Sequence, residues 1–148
     1  MGDADQSAWV DVPDADVATQ IQNLLQVYAL WVDAGRRDDI ATLFTEDAEW
    51  DGTELGYGTA TGAADIARHL AAFIDPTKPM MHMPGPAVLT ALSPTEVAAT
   101  SWSQAVRWVD GGFIPTIFWT YEDVLRFEVG HGWRFARRRL RRRFPDAS

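Results

Sequence analysis

Cysteine is absent from this chain of 148 residues. Disulfides, thiolate metal sites and thiol nucleophile chemistry are therefore excluded, and a reducing compartment fits. No apolar run approaches the roughly 20 residues of a membrane-spanning helix. The acidic opening, Met1 to Asp16, also lacks the basic and apolar regions of a signal peptide. A soluble, cytoplasmic protein with no membrane partner is expected. Cations are the minority charge: 13 Lys and Arg against 21 Asp and Glu leave a formal net charge of −8, which repels nucleic-acid backbones. GxSxG, P-loop and GxGxxG motifs are missing, so serine-hydrolase, nucleotide-hydrolase and dinucleotide chemistries lack their signatures. The three histidines are dispersed without partners at metal-ligand spacing, so neither a metal nor a cofactor is expected.

Apolar material is abundant. Hydrophobic residues make up 47% of the chain, with seven Trp and seven Phe, enough for one real core. Residues 1–13 read as a flexible acidic lead and 14–148 as one continuous domain. Asp14 or Asp16 can cap a helix whose apolar face is Val17, Ile21, Leu24, Leu25, Tyr28 and Val32, and Gly35 ends it. Asp38 to Phe44 reads as a short second helix, Gly52 to Gly62 as a short strand with turns, and Ala63 to Ile74 as a third helix. From Met80 the texture is β, in runs Met80 to Leu92, Glu96 to Val109, Phe113 to Glu128 and Trp133 to Phe144. Ser93-Pro94, Asp110-Gly111-Gly112 and Gly130-His131-Gly132 sit where hairpin turns belong. The expectation is an α+β fold, in which long strands twist into a curved, mainly antiparallel sheet roofed by three N-terminal helices. The hollow under the first helix is the natural pocket.

Several segments carry a family resemblance: Tyr28-Ala-Leu-Trp-Val-Asp33-Ala-Gly, Leu43 to Trp50, Gly62, Met81-His82-Met83 and Gly132 to Arg138. Together they make the chain resemble the nuclear transport factor 2-like, or SnoaL-like, cone-shaped domains, also described as cystatin-like α+β barrels. Within that superfamily it looks most like the group of scytalone dehydratase, bile-acid 7α-dehydratase and hexachlorocyclohexane dehydrochlorinase. The resemblance implies a dyad of Asp33 and His82, with Tyr28 beside the substrate, Trp50 as a pocket aromatic and Arg138 as an arginine on the last strand. It also implies a homo-oligomer, dimer or trimer, formed through the sheet. The strand Glu96 to Val109 offers Ser101, Ser103, Gln104 and Arg107 where scytalone dehydratase has a second pocket histidine, so that enzyme's own substrate does not carry over.

The chemistry follows from residue types. Imidazole is neutral and available as a base near cellular pH, and a carboxylate on its other nitrogen fixes the tautomer and stabilises the imidazolium. Tyr28 and Arg138 are the expected donors to the developing anion. Trp50, Trp102 and Phe118 are expected to wall a small hydrophobic, cyclic substrate. The resulting expectation is a cofactor-independent lyase, a dehydratase or dehydrohalogenase. A ketosteroid-isomerase-like or polyketide-cyclase-like enzyme with Asp51 as base, or a non-catalytic binding domain, are the alternatives. Each residue has a plainer reading. Asp33 can simply end the helix, Tyr28 can be packing, and a register error of one on the last strand replaces Arg138 by Arg137 or Arg139. His69 reads as solvated, His131 as a turn residue, and the arginine run from Arg137 to Arg143 as an ion-paired strand.

Overall fold

The computed structural model describes residues 11–145. The acidic lead expected over 1–13 lies, up to residue 10, outside the described residues. Asp11 is docked, its carbonyl accepting the Ala91 N–H at 2.7 Å. The elements are α1 (Ala15–Asp33), α2 (Arg37–Thr42), β1 (Phe44–Asp51), a single 3-10 turn (Thr53–Leu55), β2 (Thr59–Thr61), α3 (Ala63–Ala71), β3 (Met80–Pro84), β4 (Val88–Ser93), β5 (Glu96–Val109), β6 (Gly112–Glu128) and β7 (Gly132–Arg142). Among the described residues no helix is long and apolar enough to cross a membrane.

Helix α1 buries Ile21, Leu25, Tyr28 and Val32, a stripe at helical spacing laid onto the sheet. Asp14 is its N-cap residue but makes no side-chain capping bond. Gly35, at φ +64°, supplies the left-handed turn that stops the helix. Two side chains tie α1 across the hollow. Gln22 exchanges hydrogen bonds with the backbone of Ala87, at 2.9 and 3.1 Å, and Asp33 bonds to His82.

The sheet runs β2-β1-β7-β6-β5-β3, with β4 also on β5 and every pairing antiparallel except β1 with β7. The run expected as one strand, Met80 to Leu92, is two strands, because the Pro84-Gly85-Pro86 break cannot continue a ladder. Both halves add to the same edge of β5. The expected second helix stops at Thr42, and Phe44 to Asp51 is a strand instead. Its inward Phe44, Ala48 and Trp50 are buried while Glu46, Asp47 and Glu49 face water. The hairpin turn after β5 uses Asp110 (φ 49°) and Gly111 (φ 80°), as the Asp-Gly signal predicts.

Strict alternation on the last strand fails at one point. Val124 pairs with Arg137 but Leu125 pairs with Phe135, so Ala136 is an extra residue in a bulge. Phe135 and Arg138, which alternation places on opposite faces, therefore both point inward and both are 0% exposed. Inward residues form rows across the strands. His82, Ala105 and Ile117 make one, Ser103 and Trp119 the next, then Ser101, Tyr121 and Leu140, then Ala99, Asp123, Arg138 and Trp50.

The last row contains a fully buried ion pair. Removing one partner of such a pair leaves an uncompensated charge, which costs about 3–5 kcal/mol. Asp123→Ala is expected to lower the unfolding free energy by about that amount in urea titration. The double variant Asp123→Leu with Arg138→Met is expected to recover most of the loss; a single-variant cost below about 1 kcal/mol would contradict the burial.

Candidate active site

Asp33 ends α1 where the chain turns away over Gly35, and His82 sits in the middle of β3. The carboxylate takes two hydrogen bonds from the same residue: Oδ2 accepts the His82 backbone N–H at 2.8 Å and Oδ1 accepts from ring Nδ1 at 2.5 Å. The side chains are 15% (His82) and 19% (Asp33) exposed. A carboxylate can only accept when ionised, so Nδ1 is the donor of this contact, and in the neutral imidazole Nε2 is then the nitrogen with the lone pair. The Trp119 ring stands edge-on to the imidazole, centroids 5.6 Å apart.

His82 lines a cavity of about 60 Å³ with Tyr28, Val32, Trp50, Trp119 and Tyr121 around it. The Trp50 indole N–H donates to the Tyr28 hydroxyl at 3.2 Å, so the hydroxyl oxygen is the acceptor and its own hydrogen remains to donate. Burial pushes the Tyr28 phenol above its ordinary value, against the pull of Arg138 and Trp50, and burial pushes Tyr121 up as well. Both stay protonated across the physiological range. Among the described residues, the Trp119 indole N–H is buried with no hydrogen-bond partner.

Behind these phenols lies Arg138. Its Nε and Nη2 donate to the two Asp123 oxygens at 2.9 and 3.0 Å, and neither side chain is exposed. The guanidinium carbon sits 3.5 Å from the Tyr121 ring centroid, 4.1 Å from that of Tyr28 and 4.5 Å from that of Phe135. Burial works against this cation, but the Asp123 carboxylate holds its pKa above the ordinary guanidinium value. Burial pushes the Asp123 carboxyl up while Arg138 pulls it down.

The structure brings Asp33, His82, Tyr28 and Trp50 together and leaves the other expected site residues apart. Arg138 faces inward but does not line the cavity, since Asp123 and three rings enclose it. Trp102 (65% exposed) and Phe118 (42%) stand on the outer face, because the inward positions beside them belong to Ser101, Ser103 and Trp119. Asp51 also lies outside the cavity. It accepts the Thr53 N–H at 2.9 Å and faces Arg139 at 3.5 Å, and the Thr53 contacts hold its pKa down. His69 is half-buried rather than solvated, donating from Nε2 to the Tyr57 carbonyl at 2.7 Å and packing on Trp50 and Phe73. Sequence reasoning missed Trp119, Tyr121 and Asp123. The available signal was the period-2 series Trp119, Tyr121, Asp123, Leu125, whose single acid on an apolar face demands a partner. Among the described residues no group of three or more His, Asp or Glu side chains is placed to hold a metal ion.

Residues 13–139 match the SnoaL-like domain family, and the chain belongs to it. No curated protein matches the sequence significantly. Among solved structures, the chain is similar to an NTF2-like protein with a cystatin-like fold from Novosphingobium aromaticivorans, at 26% identity over 100% of this chain and 94% of that one, TM-score 0.75. A scytalone dehydratase candidate from the same organism shares 22% identity over 86% and 85% of the two chains, TM-score 0.69. ActVI-ORFA from Streptomyces coelicolor shares 18% over 85% and 96%, TM-score 0.73. At such identities the last two establish the fold alone.

The tyrosines give the site a pH signature. A phenol whose folded pKa is raised contributes stability below its unfolded value, and loses it as pH climbs past that value, because only the unfolded chain ionises. With an ordinary value of 10.0, stability is expected to fall above about pH 10. In phenolate absorbance, two of the three tyrosines are expected to stay silent until the fold is lost. Smooth ionisation of all three in the folded protein would contradict this.

Proposed function

We propose that this protein is a cofactor-independent lyase, of the dehydratase or dehydrohalogenase kind, acting on a small hydrophobic cyclic substrate. The observation that carries the reading is the Asp33 carboxylate bonded to His82 Nδ1 at 2.5 Å beside an apolar cavity. That contact makes Nε2 the basic nitrogen and readies Asp33 to stabilise the imidazolium. His82 takes a proton from a carbon of the substrate. The C–H electron pair becomes the new C=C bond as the C–O or C–halogen bond breaks; a halide departs as the anion, a hydroxyl departs as water on taking the proton from His82, and the Tyr28 hydroxyl donates to the substrate oxygen that gains charge. Arg138 acts from behind, its charge against the Tyr28 and Tyr121 ring faces making both phenols better donors.

Dehydratases and cyclases occur within the SnoaL-like family, which supports small-molecule chemistry at this cavity. The isomerase-like alternative with Asp51 as base loses its ground, since Asp51 is bound to Thr53 and faces Arg139. A dimer or trimer through the sheet is supported by its aromatic outer face, where Trp102 and Phe113 are 65% and 66% exposed.

Turnover of β-hydroxy carbonyl and halogenated cyclic compounds tests the proposal. His82→Gln is expected to lower kcat by roughly 10²–10⁴-fold, with circular dichroism unchanged. Asp33→Asn is expected to lose activity too, because an amide can donate to Nδ1 and so favour the wrong tautomer. Equal kcat in wild type and both variants would overturn the reading, while tight ligand binding without turnover would make the domain a binder.

A further inference from the structure

We infer that the turn formed by residues 52–58 is a flap closing the cavity, and that Glu54, clamped by Arg141 and Arg142, controls its opening. The inference rests on the reading of the cavity as a ligand site and is independent of the chemistry at His82.

Size makes the case that a wall must move. The cavity as it stands measures about 60 Å³, whereas a cavity of about 150 Å³ is what accommodates a benzene ring. Tyr28 and Val32 stand on α1, and Trp119 and Tyr121 on an interior strand whose hydrogen bonds resist displacement. Leu55 and Tyr57 belong instead to the turn between β1 and β2, and both line the cavity.

That turn is a self-contained unit. Gly52 N–H bonds the Gly58 carbonyl at 2.8 Å, closing its base, and the Leu55 and Tyr57 N–H groups both return to the Gly52 carbonyl at 3.0 Å. Gly58 takes φ +70°, a left-handed conformation suited to a hinge. Gly52 lies so close under Trp50 that a Cβ would come within 2.5 Å of the indole ring.

The turn's attachments to the rest of the protein are the packing of Leu55 and Tyr57 on the core and a small set of polar contacts. Glu54 Oε2 accepts the Arg142 backbone N–H at 2.8 Å, and the Glu54 carbonyl accepts from Arg142 Nη2 at 2.8 Å. Arg141 Nη1 reaches Glu54 Oε1 at 2.9 Å. On the opposite side His69 holds the Tyr57 carbonyl at 2.7 Å, and Tyr57 packs on Phe73 at 5.0 Å. The end of the arginine run thereby gains a purpose that a general ion-paired strand does not supply. Arg141 and Glu54 are 44% and 42% exposed, so their attraction is weak and screened by salt. Such a clamp holds the flap shut and releases it readily.

Hydrogen exchange of the full chain and entry of benzene, followed by the Leu70 and Ile117 methyl resonances, test this. In Glu54→Gln the Leu55, Gly56 and Tyr57 amides are expected to exchange roughly three- to tenfold faster, with Trp119 and Tyr121 unchanged. Benzene is expected to enter faster by a similar factor. Raising NaCl from about 50 to about 500 mM should move wild type toward the variant and leave the variant where it is. Turn amides that do not change, acceleration shared by the whole sheet, or equal benzene entry would each overturn the flap. Benzene failing to enter either protein would instead remove the ligand-site reading beneath it.

Discussion

A positive charge with no exposed surface, on Arg138, organises the inner face of the sheet. Taking a guanidinium out of water costs several kcal/mol, and Asp123 loses its own hydration as well. The offset is geometric. Two parallel hydrogen bonds to Asp123 satisfy Nε and Nη2, and three aromatic rings turn their negative faces to the remainder. Nη1 has no hydrogen-bond partner among the described residues, so these ring faces are what compensates it. The requirement runs outward from there. Tyr28 and Tyr121 cannot rotate away without uncovering the cation, and Tyr28 in turn receives the Trp50 indole. Residues from α1, β1, β6 and β7 are thus locked by one charge, which lies behind the cavity rather than in it.

The same arrangement shows why some of the site was legible in the sequence and some was not. Helix α1 announced itself through a stripe at helical spacing, and Asp33 and His82 were found through a resemblance, which supplies a pairing that spacing alone cannot. The wall was misread where polarity runs against burial. On β5 the inward side chains are Ser101, Ser103 and Ala105, small enough for the hollow to hold Tyr28 and its neighbours, while the large Trp102 is turned outward. A hydrophobicity argument therefore chose the wrong face. The register of β7 was beyond reach for another reason. One bulged residue, Ala136, shifts every later side chain by one position, and no residue type marks it. Asp123 was findable: an acid within an inward apolar series has to be paired, and Arg138 is its direct cross-strand neighbour.

Asp33 holds the β3 backbone and the His82 ring with separate atoms. The bond from Oδ2 to the His82 backbone N–H would exist with any residue on β3, and together with the Gln22 bridge to Ala87 it fixes α1 at two points across the hollow. The bond from Oδ1 to Nδ1 is what histidine adds. Because one carboxylate holds both the strand and the ring, the imidazole orientation is set by the helix position rather than by a free side-chain torsion. Preorganisation of this kind lowers the cost of reaching a productive geometry.

A rigid wall and a weak clamp would answer opposite demands on the same cavity under the proposed function. The proposed proton transfer from carbon would work best where water is excluded, since a dry site would strengthen the interaction of Asp33 with an imidazolium and of Tyr28 with a developing oxyanion. The buried ring of Tyr28, Trp50, Trp119 and Tyr121 provides that dryness and, being tied to Arg138 or to ladder hydrogen bonds, cannot itself admit a ligand. Access must then come from an element that the charge at the centre does not hold. The turn bearing Leu55 and Tyr57 meets that condition, because its hydrogen bonds close on themselves and, besides the packing of those two side chains, its outside polar attachments are to exposed arginines and one histidine. In the flap inference, rigidity and entry are divided between separate parts of the wall, so loosening the turn need not disturb the contact between Asp33 and His82.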